Sequence, residues 1–504
     1  MADTGRTDPE RLHELLERLL VKDVDAHEAA LAELAEVGDE RVVPHLVEVI
    51  YLDTVANGWE KYGFPEVFRE KEPPIPLTHP EVRWPGVIDA LRGVADPDYD
   101  DPESAWLKWE SWYTTHADEI DPLGGTDAFL DWKTRFYRSY HPLVGHILDQ
   151  EPTVEDFHRI RWGSCDRSTL HPLNGPDWIG VGEADYVEDD DLVYGFEVNG
   201  QAYATPRFVV FPHEMVNAEL QGVPVCVSLC TMCNSPILYD RRVELDGEER
   251  PLGFGSTGLI WRGNKAMYDE ETASLWNQQT GRPIAGEMLE RHRSLAGDGG
   301  DGADTGSGWG GDGRGRADDG GVALDFMPIT QTEWGEWVAD HPDTLTLSPD
   351  TGYDFDYDYY RDYQGFIKRH YWENPRAIHP GVPPGETDLD DKAYVYGVET
   401  ADGVHAFPKE SVAEHEPVVD DLDGRDVVAV LESGDVGVYE APPLPVEREG
   451  DHLVDAEGRR WRIAHDGLHA ADGDERLERV TGRHGLWLSF RPHYEEYRVV
   501  TGAA

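Results

Sequence analysis

The 504-residue chain predicts an α+β protein: a mainly antiparallel β domain with short helices, present as two tandem copies, behind an all-α N-terminal segment. Three observations carry this. Between residues 10 and 56 leucines recur at helical spacing. From about residue 155, short β-rich runs alternate with Gly, Asp, Asn and Pro turns. The later chain also states one pattern twice. Val193-Tyr194-Gly195-Phe196-Glu197 returns as Val395-Tyr396-Gly397-Val398-Glu399, at an offset of 202 (395 − 193). Pro206 and Pro408, His213-Glu214 and His415-Glu416, and Gly222 and Gly424 keep that offset.

In chain order, Leu12, Leu15, Leu16, Leu19 and Leu20 form one helical stripe, and Leu31 and Leu34 another. Asp39 can cap a third helix, with Val42, Val43, Leu46, Val47 and Ile50 on its buried face. This stretch resembles a HEAT-type repeat. One and a half units cannot bury a core alone, so the segment must dock on something. Residues 57–150 continue mostly helical, and Trp106, Trp109 and Trp112 read as packing. Asn199-Gly200 and Asp246-Gly247 mark hairpin turns. Residues 297–321 form an acidic Gly-rich loop, disordered on composition. The acidic-aromatic stretch 350–363 reads as a surface linker that folds back by its tyrosines. The expected boundaries are 1–150, 151–350, a linker 351–394, and a degenerate copy two at 395–504.

Composition bounds the setting. Asp+Glu number 101 against 44 Lys+Arg, a net charge of −57. That excess fits a salt-in halophile, where concentrated salt screens self-repulsion. With no basic stripe, nucleic acid is not an expected partner. With no long apolar run, membrane insertion is not expected. The N-terminal residues show no signal-peptide pattern, so a cytoplasmic location is expected. Four cysteines make no disulfide framework, and a cytoplasm would keep them reduced.

Only copy one has the cysteine turn. Leu238-Tyr239-Asp240 faces Val438-Tyr439-Glu440 at an offset of 200 (438 − 238), so two residues are missing from copy two within Cys230-Thr231-Met232-Cys233-Asn234. Further on, Trp276 matches Trp461 at 185 (461 − 276). Trp337 with Pro342 matches Trp487 with Pro492 at 150 (487 − 337). The spacing Cys226-x3-Cys230-x2-Cys233 is that of radical S-adenosylmethionine enzymes, but those carry it on an early loop feeding a helix, not between two β runs. A metal-knuckle turn fits better: a strand brings in Cys230, and Asn234 tolerates the left-handed conformation. Two thiolates suit zinc, copper or iron. Cys226, four residues before Cys230, and His213 are the candidate further ligands, with Cys165 more distant. Against ligation, Cys226 aligns with Val428, and His213 is matched by His415 in the copy without cysteines. A redox dithiol is the other reading, although a thioredoxin-like pair would open a helix.

The runs CVSLCTMCNSPILYDRRV, GFGSTGL, MYDEETASLWNQQTGRPIAG and WGEWVADHPDTLTLS resemble the prokaryotic family "domain of unknown function 3179", over about 155–500 in both copies. In that family the turn usually reads Cys-Pro-x-Cys; here Thr231 replaces the proline. The resemblance implies no activity. It does imply site candidates: Arg241, Ser256, Asn264 and Gln278 resemble family positions and have no evident counterpart in copy two. Trp276 is matched by Trp461, and copy two keeps Asp455, so these point to folding. The expected function is a thiophilic metal site or thiol redox site on the cysteine turn. The alternative is a non-enzymatic scaffold that recruits a protein partner through its N-terminal helices.

Overall fold

The computed structural model describes residues 7–56, 84, 86–94, 105–117, 119–163, 165, 167, 169–245, 247–296, 321–374, 382, 387–401, 403–494 and 496–502. The Gly-rich loop expected at 297–321 lies outside these but for its last residue. So do most of residues 57–104 and the Asp246 half of the second hairpin turn.

The leucine stripes form helices. Asp8 caps Pro9–Glu17 and Asp23 caps Val24–Val37, which ends on Gly38 in the left-handed region. Asp39 caps a short turn, Glu40–Val42, that leads into the third helix Val43–Ala56. Leu12, Leu15, Leu16, Leu31, Leu34, Leu46 and Ile50 are all buried. They dock as the leucine pattern requires. One continuous core joins them to Leu259, Trp261, Ala266, Leu275 and Ile284 of copy one.

Among the described residues, three sheets recur in both copies in a shared order, and copy one adds a two-stranded hairpin, Arg242–Leu245 with Glu248–Pro251. In copy one, Thr330–Glu333, Leu192–Val198, Gln201–Pro206 and Leu345–Leu347 lie side by side. In copy two, Arg483–Leu486, Tyr394–Thr400, Gly403–Pro408 and Tyr497–Val499 repeat that order. In both, the last strand joins parallel and the others antiparallel. A second sheet contains Met215–Leu220, Val223–Cys230 and Ser235–Asp240 in copy one, and Val418–Leu422, Arg425–Glu432 and Asp435–Glu440 in copy two. A third, meandering sheet follows in each.

The register corrects one sequence match. Thr330 pairs with Gly195, and Arg483 pairs with Gly397, so the last part of the repeat runs at 153 (483 − 330), not 150. Trp337 therefore corresponds to Phe490 and Trp334 to Trp487. Aligning identical letters hid this, because the two rings do the same job: a Cβ on Gly195 would overlap the Trp337 ring, and one on Gly397 the Phe490 ring. Gly195→Ala and Gly397→Ala should each destabilise their own copy by about 1–3 kcal/mol, because the rings must shift in close-packed cores. Thermal melts check this, and an alanine variant as stable as the parent would show that the ring and glycine are not a shared device.

The stretch 350–363 differs from a surface linker. Asp356 caps a helix, Tyr357–Ile367, that buries Tyr360, Tyr363, Phe366 and Ile367 against Phe208, Val210 and Phe211 of copy one. Its tyrosines do fold it back, but as one wall of a core. No helix of the described residues is long and apolar enough to cross a membrane.

Candidate functional site

The cysteine turn closes the hairpin between Val223–Cys230 and Ser235–Asp240, where Cys230 pairs with Ser235. Asn234 sits at φ 47°, the left-handed conformation its short polar side chain tolerates. Copy two builds the same hairpin with Glu432 paired to Asp435 across only Ser433 and Gly434, at φ 45° and 76°. Two left-handed residues in sequence make the tightest hairpin turn. The two extra residues of copy one therefore serve no need of the strands.

Cys230 and Cys233 are joined as a disulfide, with Cα atoms 5.3 Å apart. Both are nearly or fully buried; Cys230, at 5 %, is the more accessible. The Cys233 sulfur lies 3.2 Å from the Gly263 carbonyl. Behind the turn is a buried amide cluster. The Gln278 side chain donates to the Ser228 and Ser235 carbonyls at 3.1 and 3.0 Å. Gln279 Oε1 accepts from Ser235 and Asn264, both at 3.4 Å. Copy two reaches in: Leu486 N donates to the Cys233 carbonyl at 2.9 Å, and Arg483 Nη1 to the Gln279 carbonyl at 2.6 Å. Trp372 Nε1 donates to the Thr231 carbonyl at 3.2 Å.

Of the sequence candidates, Asn264 and Gln278 come to the turn with Cys230 and Cys233. Arg241 and Ser256 do not. Arg241 holds the Leu252 carbonyl at 2.8 Å, just past the end of Ser235–Asp240 away from the turn. Ser256 donates to Glu214 at 2.8 Å, and buried Lys265 lies 3.5 Å from the same carboxylate. Copy two repeats that arrangement, with Arg448 on Glu416. This cation and carboxylate are scaffold.

The proposed metal ligands are not gathered. Among the described residues no group of three or more His, Cys, Asp or Glu could hold a metal ion. The reason is visible at each residue. His213 has both ring nitrogens engaged: Nδ1 lies 2.7 Å from the His171 carbonyl and Nε2 2.8 Å from the Tyr357 hydroxyl. A carbonyl only accepts, so Nδ1 carries the proton and Nε2 accepts from the tyrosine. Burial lowers its pKa to about 4, which keeps it neutral. Cys226 packs in an apolar cluster with Tyr239, and burial pushes its thiol up to about 12. It does the work of Val428, which packs against Tyr439 in copy two. Trp276 and Trp461 likewise match in role, donating to Asp269 and Asp455 at 2.9 and 3.0 Å.

Copy two fills the Cys230 position with Glu432. Its carboxylate meets Arg479 at 3.4 Å and Thr330 of copy one at 3.2 Å. Burial opposes its charge, but the His465 and Arg479 contacts hold its pKa down to about 2. An ion cluster thus stands where copy one has sulfur. Arg207 escaped the sequence reading altogether. It is fully buried, with Nη1 on Asn234 at 2.5 Å. The available signal was the basic residue after the repeated proline, Arg207 after Pro206 and Lys409 after Pro408.

Fold and site together define a class: a duplicated, mainly antiparallel α+β protein with a Cys-x-x-Cys turn in its first copy. The chain belongs to the family described as "Protein of unknown function (DUF3179)", whose model matches residues 172–295 and 311–497. No curated protein and no solved structure matches it.

Proposed function

We propose that copy one is a thiol–disulfide exchange site, working in the concentrated salt of a cytoplasm. The observation that carries this is the turn itself, a four-residue connection bearing a bonded sulfur pair where copy two closes the same strands with two residues. In a reducing compartment a disulfide is usually transient and catalytic or sensing. The co-reactant is a dithiol partner. Its thiolate attacks the Cys230 sulfur, the more accessible of the two, and a mixed disulfide forms as Cys233 leaves as a thiolate. The partner's second thiol, deprotonated, then displaces Cys230. The partner ends oxidised, and copy one holds two thiols after taking up two protons.

The test is alkylation of the full chain after equilibration in dithiothreitol redox buffers at high KCl. Cys230 and Cys233 should become reactive together, as one two-electron couple. Cys230→Ser with Cys233→Ser should abolish the couple while lowering stability by no more than about 2 kcal/mol, the loop-closure effect of a four-residue ring. Thiols that never become reactive in strong reductant would refute the reading and leave a scaffold. Stoichiometric metal in the purified protein, lost with unfolding in the double variant, would show a structural metal instead.

A further inference from the structure

Arg207 sits where the two copies and the segment between them meet. Its guanidinium lies on the Trp372 ring, Cζ 4.1 Å from the ring centroid. Nη1 donates to Asn234 Oδ1 at 2.5 Å and to Gln331 Oε1 at 3.3 Å. Both acceptors are neutral amides. Nε and Nη2 make no hydrogen bond of good geometry among the described residues, and no carboxylate pairs with the side chain there. The residue is 0 % exposed. An arginine cannot shed its proton to escape such a place. A buried charge without a counter-charge is among the costliest features a fold can hold.

The free nitrogens are a matched pair. Nε and Nη2 share one edge of the planar fork, the edge that takes a carboxylate through two parallel hydrogen bonds. Two phenols accompany it. The hydroxyls of Tyr194 and Tyr394, one from each copy, are buried, and neither makes a hydrogen bond of good geometry among the described residues. The Tyr194 hydroxyl faces the Arg207 guanidinium and interacts with it directly, and the Tyr394 hydroxyl lies close to both. Neither can be its counter-ion. Burial pushes the Tyr194 hydroxyl up to about 12 and that of Tyr394 well above its ordinary value, so both stay protonated donors. The buried carboxylates of copy two's turn are engaged elsewhere. Asp435 accepts from Gln331 N at 3.0 Å and meets His484 at 3.2 Å. Glu432 is held by Arg479.

We infer that Arg207, with the hydroxyls of Tyr194 and Tyr394, binds a small planar oxyanion, a carboxylate-type group seated across Nε and Nη2. The site takes its cation from copy one and one phenol from copy two, so it exists only because the copies are joined. It stands apart from the redox reading, since it requires no electron transfer. The source is either a free anion such as formate, bicarbonate or nitrate, or the carboxylate end of a larger molecule.

The test uses the full chain at constant high ionic strength, with potassium formate, nitrate or N-acetylglycinate replacing chloride. Titration calorimetry should show one saturable site for formate and nitrate, and the melting temperature should rise over the same concentration range. Arg207→Lys keeps the charge but loses the edge, and should weaken formate binding by about tenfold or more. Tyr194→Phe with Tyr394→Phe keeps both rings and should weaken it by a similar factor. Binding of N-acetylglycinate as well would assign the site to the end of a larger ligand; its exclusion would assign it to a free anion. No saturable binding to the parent chain would overturn the inference. So would formate binding that is unchanged in the Phe double variant, which decides the matter if Arg207→Lys does not fold.

Discussion

Glu48→Ala should destabilise the seam between the N-terminal helices and copy one by about 3–5 kcal/mol. Glu48 is fully buried on the helix Val43–Ala56. Lys133 Nζ reaches its Oε1 at 2.6 Å, Arg161 Nη1 donates to the same oxygen, and Tyr137 donates to Oε2 at 3.0 Å. Arg161 belongs to Arg161–Trp162, the strand added to the edge of copy one's third sheet. It also holds buried Glu110 at 3.1 Å. One carboxylate thus ties three elements together. Burial lowers the Lys133 pKa to about 8, with Glu48 the main opposing influence. Removing Glu48 leaves an ammonium and part of a guanidinium buried with less compensation.

The expected loss is larger than the worth of the pair, because it is mostly the cost of orphaned charge. Glu48→Leu with Lys133→Met should therefore recover much of it, since Arg161 keeps Glu110. Denaturant melts followed by tryptophan fluorescence compare the parent, the single and the double variants. A single variant within about 1 kcal/mol of the parent, or a double no better than the single, would show that the network does not hold the seam.

Much of this architecture was legible because its signals are local. Asn199 and Gly200, at φ 47° and 79°, form the turn that an Asn-Gly pair predicts. The two-residue loss between the copies fell inside the cysteine turn, where the pairings Cys230–Ser235 and Glu432–Asp435 now place it. What was misread depended on partners far away in the chain. His213 looked like a ligand until Tyr357, on a helix that had read as linker, took its second nitrogen. The acidic letters around Tyr357–Ile367 hid that helix, because its aromatic face buries while its aspartates stay out. Trp337 was matched to Trp487 by letter, although shape makes Phe490 its equivalent. Arg207 gave no motif: its meaning lies in Trp372, Tyr194 and Tyr394, which only tertiary packing brings around it.

Raising KCl from about 0.1 M to about 3 M should raise the melting temperature by about 10 °C or more. The cause is the net charge of −57, much of it in carboxylates at the surface. At about 0.1 M salt, charges interact over about 10 Å, so neighbouring aspartates and glutamates repel across the folded surface. At about 1 M that range falls to about 3 Å, and the repulsion largely disappears. Buried pairs respond differently, because salt does not reach them. The deficit of Glu48→Ala should accordingly persist, near its full size, at every salt concentration while the whole stability curve moves. That contrast separates the exposed charges, which salt screens, from the buried network, which it does not reach. A melting temperature indifferent to KCl would mean that the acidic surface is not a liability at low salt. A Glu48→Ala deficit that vanished at high salt would mean that its carboxylate is in contact with solvent rather than buried.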